Sequence, residues 1–260
     1  MNQSREAIRE RQHQLLNYIK SNRIIKVSEA SKHLGVSELT IRRDLEVISN
    51  QHLIERFHGG ARIKTPDLKY DIPVSEKETR HEAPKKCIAQ KAAALIYNGD
   101  SVFLNSGSTT SLVMRYLDGK NIRVFTNNAL APSCIQSEHT ELIITGGECR
   151  LRSKALIGTF ASDMLKKVYT NACILGTNGI SSANGITTSN YQEASINELM
   201  VTHCRGKIIV VADGSKIGQT HPFVSIGIRN IHILITDSSA DKEELHKIQQ
   251  CGIEVIVADT

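Results

Sequence analysis

Thr40, Arg42 and Arg43 bring a hydroxyl and two guanidinium groups together within one turn's length of chain. Such groups suit a partner that is anionic and rich in hydrogen-bonding edges. A guanidinium can bind guanine O6 and N7 bidentately, and it holds phosphate as readily. A second chemically loaded run is Asn105-Ser106-Gly107-Ser108-Thr109-Thr110. It combines small hydroxyl side chains with glycine, so several backbone N–H groups can converge on one point. If a helix begins there, the run is an anion cradle.

The elements around the first run are helical. A helix is expected from about Ser4 to Lys20, with Ile8, Leu15 and Ile19 on one face. Val27-Ser28 opens a short helix, with Ser28 as its expected N-cap and Ala30 and Leu34 facing inward. Gly35 ends it, because glycine accepts the left-handed backbone of a sharp turn. Ser37 caps the next helix, whose apolar stripe is Ile41, Leu45 and Ile48. Arg43 then points away from Ile41, Thr40 and Arg42 flank it, and Asp44 is expected to pair with an arginine. Helix, glycine turn and helix make a helix-turn-helix. The stretch from Ile54 to Ile63 reads as strand, Gly59-Gly60 turn and strand, a wing that carries Arg56, His58 and Arg62 toward backbone phosphate. The expected DNA contacts are Ser28, Ser37, Leu39, Thr40, Arg42, Arg43, Arg56, His58 and Arg62.

Charge supports the same division. Residues 1–65 hold 12 Lys+Arg against 7 Asp+Glu, whereas residues 66–260 hold 20 of each. The whole excess of +5 therefore sits in the first quarter, as expected of a small module that neutralises phosphates.

Pro66, Pro73 and Pro84 punctuate a polar stretch that reads as a linker over 66–84, between a DNA-binding domain at 1–65 and an α/β domain at 85–260. Beyond it, seven apolar, β-branched runs alternate with helix-length segments: 101–104, 122–126, 141–145, 172–175, 207–211, 231–236 and 253–257. That alternation predicts βαβ units and a largely parallel sheet. Small polar loops follow several strands: Asn127-Asn128, Gly146-Gly147, Asn178-Gly179 and Asp213-Gly214-Ser215-Lys216. Ligands of open α/β sheets bind at those carboxyl ends. The expected effector set is Asn105, Ser106, Gly107, Ser108, Thr109, Thr110, Asn127, Gly146, Gly147, Asn178, Glu193 and Lys216, with Lys216 as a phosphate or carboxylate partner. Neither GxGxxG after the first strand nor GxxxxGK[ST] occurs, which favours a small phosphate ester over a nucleotide.

The six cysteines show no CxxC and no metal-ligand spacing, so reduced, mostly buried thiols are expected, with no metal or cofactor. No apolar run reaches membrane-spanning length and the first residues are polar, so the expected setting is the cytoplasm.

Val36-Ser37-Glu38-Leu39-Thr40-Ile41-Arg42-Arg43-Asp44-Leu45 together with Arg56-Phe57-His58-Gly59-Gly60-Ala61 resembles the head of the DeoR family of bacterial sugar-metabolism regulators. The loop 106–110, Thr126-Asn127, Gly146-Gly147, Gly176-Thr177-Asn178-Gly179-Ile180 and Ala212-Asp213-Gly214-Ser215-Lys216-Ile217-Gly218 resemble its sensor domain. The resemblance implies a winged helix-turn-helix joined to a Rossmann-like domain similar to ribose 5-phosphate isomerase. It also implies a repressor of a carbohydrate operon, a homo-oligomer (dimer or tetramer) that binds double-stranded operator DNA and is relieved by a phosphorylated sugar. Where the family carries an acidic residue at the end of the first strand, this chain has Asn105. Two alternatives stand beside that expectation: an activator, and a sugar-phosphate isomerase using Glu193, Asp213 and Lys216 as acid/base groups.

Overall fold

The computed structural model describes residues 11, 12, 14–16, 18, 19, 24–50, 54–57, 59–63 and 72–258. The chain forms two compact units, Met1–Tyr70 and Asp71–Thr260.

In the first unit, the described residues of 11–19 are helical (α1), and Leu15 and Ile19 are buried. The rest of the expected first helix, Ile8 and Lys20 included, lies outside the described residues. α2 (Val27–Leu34) ends at Gly35 with φ +65°, as its sequence requires. Ser28 does not cap it. The helix begins two residues earlier, with Lys26 as its N-cap, whose N–H donates to Glu29 Oε2 at 3.2 Å, and Ser28 is an exposed residue of the first turn. α3 (Glu38–Asn50) is capped by Ser37, whose Oγ accepts the Thr40 N–H at 3.2 Å. Ile41, Leu45 and Ile48 are buried with Leu15, Ile19 and Ala30 in one core. Asp44, also buried, takes two hydrogen bonds from the Arg11 guanidinium, at 2.6 and 3.2 Å, which fastens α3 to α1. The wing strands β2 (Ile54–Phe57) and β3 (Gly60–Ile63) are as expected. An additional strand, β1 (Ile24–Lys26), pairs with β3 and makes the sheet three-stranded.

The second unit begins sooner than the linker reading allows. Residues 74–79 form α4 (Val74–Thr79) and residues from Glu82 onward form α5 (Glu82–Ala94). Pro73 and Pro84 stand at helix starts, where the missing N–H costs nothing, and do not mark irregular chain. The remainder of the expected linker, 66–71, lies outside the described residues.

Seven parallel strands make the central sheet: β4 (Ser101–Leu104), β5 (Ile122–Thr126), β6 (Thr140–Ile144), β9 (Thr170–Gly176), β12 (Cys204–Val211), β14 (Ile233–Asp237) and β15 (Glu254–Ala258). Between β6 and β9 come the hairpin β7 (Glu148–Arg150) and β8 (Ala155–Ile157), then α7 (Thr159–Leu165). The strand order is β15-β14-β12-β9-β4-β5-β6. Both faces are covered: Val102, Leu104, Ile174, Ile209 and Ile235 join one core, and Phe103, Cys173, Leu175, Val210 and Leu234 join the other. Burial on two sides explains why these strands read as continuous apolar runs. α5 and α6 (Ser108–Leu117) supply the first core. α7, α8 (Tyr191–Thr202), α9 (Lys242–Gln250) and a small antiparallel sheet of β10 (Gly179–Ser181), β11 (Gly185–Thr188) and β13 (Phe223–Ile226) supply the second. The cysteines are less buried than expected. Cys134 and Cys173 are enclosed, whereas Cys149 on the hairpin and Cys251 in the turn after α9 are exposed. Among the described residues, no helix is long and apolar enough to cross a membrane.

Candidate functional site

On α3 the buried stripe leaves a defined outer surface. Arg42 and Arg43 are exposed and Leu39 is 60% exposed. Thr40 is half-buried, its hydroxyl 2.9 Å from Ser37 Oγ, so part of its hydrogen-bonding capacity closes the cap. Arg42 leans toward Glu38, one helical turn back, at 3.6 Å, an exposed pairing of small energetic worth. Of the expected wing contacts, His58 lies outside the described residues, and so do the side chains of Arg56 and Arg62.

In the second unit the strand order reverses between β4 and β9: β5 and β6 follow β4 in one direction, and β12, β14 and β15 follow β9 in the other. The carboxyl ends at such a reversal splay apart and leave a crevice. Asn105 sits at that point, 4% exposed. Its Nδ2 donates to the Gly176 carbonyl (2.9 Å) and to Asn197 Oδ1 (3.0 Å), while its Oδ1 accepts the Gly176 N–H (2.8 Å). The amide therefore clips β4 to β9 and both to α8. This accounts for Asn where an acid was expected, since a carboxylate has no proton for two acceptors. Asn105 supports the crevice; it is not free to read a ligand.

The loop after it starts α6. The helical ladder begins with Ser111 N–H to Gly107 O at 2.9 Å, so the amides of Ser108, Thr109 and Thr110 precede it and carry the helix's positive end. Ser108 and Thr109 are 8% exposed. Thr110 is fully buried and its hydroxyl donates inward to Asn105 O at 2.7 Å, which takes it out of the ligand-reading set. Asn127 is likewise committed: its Oδ1 accepts from Ser106 N at 2.9 Å and its Nδ2 donates to Leu156 O at 3.0 Å.

The hairpin β7–β8 brings residues that sequence reading missed. Leu156 N–H donates to Asn127 O (2.7 Å) and Ala129 N–H to Lys154 O (2.9 Å), so the hairpin is bound to the end of β5. Gly147, at φ +106°, makes this possible. A Cβ there would stand 2.4 Å from Ile157 O, so its lack of a side chain serves the hairpin and not a ligand. Gly146 has open space around it. Through the hairpin, Ser106 Oγ donates to Ser153 O (2.9 Å) and Ser153 Oγ donates to Glu193 Oε1 (2.7 Å). Arg150 Nε lies 3.2 Å from the same Glu193 oxygen. The turn joining the two strands holds Arg152 and Lys154 as well. A cationic turn is thus tied to the loop that leads into α6, and Glu193 is held against that turn.

Asn178 Nδ2 reaches Ser189 Oγ at 3.3 Å, just ahead of Asn190, the cap of the helix that carries Glu193. Neighbouring Thr188 has a buried hydroxyl without a hydrogen-bond partner, a group that needs an explanation in a folded interior. Lys216 is not brought to this cluster by any contact among the described residues. It follows β12, and its charge is felt by Lys85. The proposed acid/base trio also separates: Asp213 is buried and spent on the Ser215 N–H and hydroxyl, while Glu193 is held by Arg150 and Ser153. A cleft of about 260 Å³ lined by Glu198, Val201, Val224 and Asn230 contains none of the expected effector residues. Among the described residues there is no cluster of metal ligands.

Comparison with known proteins covers most of the chain. Residues 11–67 match the profile described as a DeoR-like helix-turn-helix domain, and residues 80–238 that of a DeoR C terminal sensor domain. The chain is 33% identical to the HTH-type transcriptional regulator GlpR of Haloferax volcanii, over 95% of this chain and 96% of that protein. It is 30% identical to the glycerol-3-phosphate regulon repressor of Escherichia coli K12, over 88% and 90% of the two chains. It is also 30% identical to the lactose phosphotransferase system repressor of Streptococcus mutans, over 93% and 96%. Among solved structures, ribose 5-phosphate isomerase A from Neisseria gonorrhoeae aligns with 53% of this chain and 54% of its own, at 16% identity and a TM-score of 0.37.

Proposed function

Because this chain belongs to the DeoR family of DNA-binding transcriptional regulators, we propose that it represses a carbohydrate uptake or catabolism operon and lets go when a phosphorylated sugar enters the crevice between β4 and β9. One observation carries the sensor half of this reading: the bridge Ser106–Ser153–Glu193–Arg150, which ties a cationic turn to the loop that opens α6. Amides at a helix N-terminus with adjacent guanidinium suit a phosphoryl group. Asn178, whose Nδ2 is turned toward Ser189, suits a sugar hydroxyl through its carbonyl oxygen. The relatives named for glycerol-3-phosphate and for a lactose phosphotransferase system support that ligand class.

The family's members named here are regulators, and the carboxylates an isomerase would need are tied up in internal contacts. We therefore read the site as one that binds without turnover. Winged heads of this kind read two half-sites as dimers, so the proposal includes a cytoplasmic homo-oligomer, dimer or tetramer, on double-stranded operator DNA.

A direct test is a thermal-shift screen of the full chain against sugar phosphates and the same sugars without phosphate, followed by operator release. A ligand that binds only the folded state must raise its melting temperature. The reading expects a phosphorylated sugar to do so and to release DNA. Stabilisation by the unphosphorylated sugars alone, or turnover of the stabilising ligand, would overturn it.

A further inference from the structure

We propose that Leu39 reads a thymine methyl group in the operator, next to a guanine read by Arg43; this rests on the reading of α3 as the recognition helix. The inward stripe of α3 comprises Ile41, Asp44, Leu45 and Ile48, each no more than 3% exposed. At about 100° per residue, the direction opposite that stripe falls between Leu39 and Arg43, which stand only about 40° apart one turn from each other. Leu39 is thus at the centre of the outer surface, in the first turn, and the N-terminal residues of a recognition helix are the ones that meet base edges.

Its neighbours are accounted for. Thr40 is tied to Ser37 by the 3.2 Å cap bond and the 2.9 Å hydroxyl contact. Arg42 is turned toward Glu38. Arg43 makes no ion pair among the described residues and is exposed, so its fork is available to guanine. Leu39, 60% exposed, has no donor or acceptor and cannot hold phosphate. In the major groove the apolar feature that distinguishes one base from the others is the thymine C5 methyl. Burying Leu39 against it removes apolar surface from water on both partners, which an amide or hydroxyl at this position would not do.

The test uses the full-length protein and a random duplex library to select the preferred site, then that duplex with each thymine replaced singly by uracil, which deletes only the methyl. Fluorescence anisotropy at fixed salt reads the affinity. With the natural protein, one uracil position per half-site should weaken binding about fourfold, the worth of one buried methyl-sized group. With Leu39→Ala the same replacement should change nothing, and melting of the protein should be unaffected at so exposed a position. If no uracil position separates the natural protein from Leu39→Ala, the proposal is wrong. Arg43→Ala distinguishes that failure from a wider one: lost discrimination at a guanine leaves the recognition helix standing, and selection that yields no preferred duplex removes both readings.

Discussion

The backbone N–H of Val74 donates to the carbonyl oxygen of Arg152 across 2.9 Å, joining the first residue of α4 to the cationic turn of the β7–β8 hairpin. α4 is the first described element after the boundary between the two units, which makes this bond the place to test whether the proposed ligand is felt toward the head. A ligand can shift an equilibrium only through contacts that differ between two states. On the proposed reading, a phosphoryl group drawn to Arg150 and Arg152 would meet the strand turn whose carbonyl holds α4.

Val74→Pro tests that link with little collateral change. Pro73 already has φ −52° and ψ 143°, the extended conformation a residue before proline prefers, and proline is accepted at a first helical position. The substitution removes the donor and keeps the helix. Sensor binding of the sugar phosphate, followed by thermal shift, should persist. The effector concentration needed for operator release should rise about fivefold, corresponding to one hydrogen bond of about 1 kcal/mol. Release at the original concentration would show that the bond does not transmit.

Ser108→Arg addresses the cradle itself. Ser108 is 8% exposed at the start of α6, and a side chain as long as arginine built there takes up the space a phosphoryl group would need before the amides. The variant should bind operator as before and fail to release it at any sugar-phosphate concentration that releases the natural protein. Normal release would move the phosphate site elsewhere.

Much of this arrangement was legible in the residues, for physical reasons that also explain what was not. Strands buried on both faces, such as Ala172–Leu175 within β9, announce themselves as apolar runs. The cap at Ser37 and the turn at Gly35 follow from local backbone chemistry. The hairpin does not announce itself, because strands of three residues have no period to read and the Arg152-Ser153-Lys154 turn looks like solvated loop. Ser153 and Glu193 are 40 residues apart in sequence, so nothing local signals their contact. Pro73 and Pro84 misled in the other direction: proline interrupts a helix interior but also opens helices, and the sequence pattern around 72–84 does not distinguish the two.

Asn105→Asp restores the acidic type that the family resemblance led one to expect, and should cost stability here. The carboxylate would face the Gly176 carbonyl and Asn197 Oδ1, each of which loses a donor. Leaving buried acceptors unpaired costs about 1–3 kcal/mol. Urea unfolding should show that loss, and it should shrink as pH falls through the carboxyl's own titration, because the protonated acid regains one donor. A variant as stable as the natural protein would mean that Asn105 is not the clip between β4 and β9.

Lys85 offers a pH test at the other end of α4. Its buried ammonium donates to the carbonyls of Lys77 and Arg80, the latter at 2.6 Å, and so holds the corner between α4 and α5. Burial pushes its pKa below the ordinary 10.5; Asp213 and Glu78 oppose that shift, and Lys216 and Lys77 add to it. In the folded protein the proton therefore leaves earlier than in the unfolded chain. Between the depressed value and 10.5 the unfolded chain binds more protons, so this residue's contribution to stability rises with pH. Below the depressed value the contribution is constant, because both states are charged. Lys85→Met has no such proton and leaves two carbonyls unpaired, so at neutral pH it should be less stable by about 2 kcal/mol. Urea melts of the two proteins in parallel should show the gap widening from neutral pH toward 10.5. A gap that stays level or narrows over that range would mean that Lys85 is solvated in the folded chain and does not hold the α4–α5 corner from within.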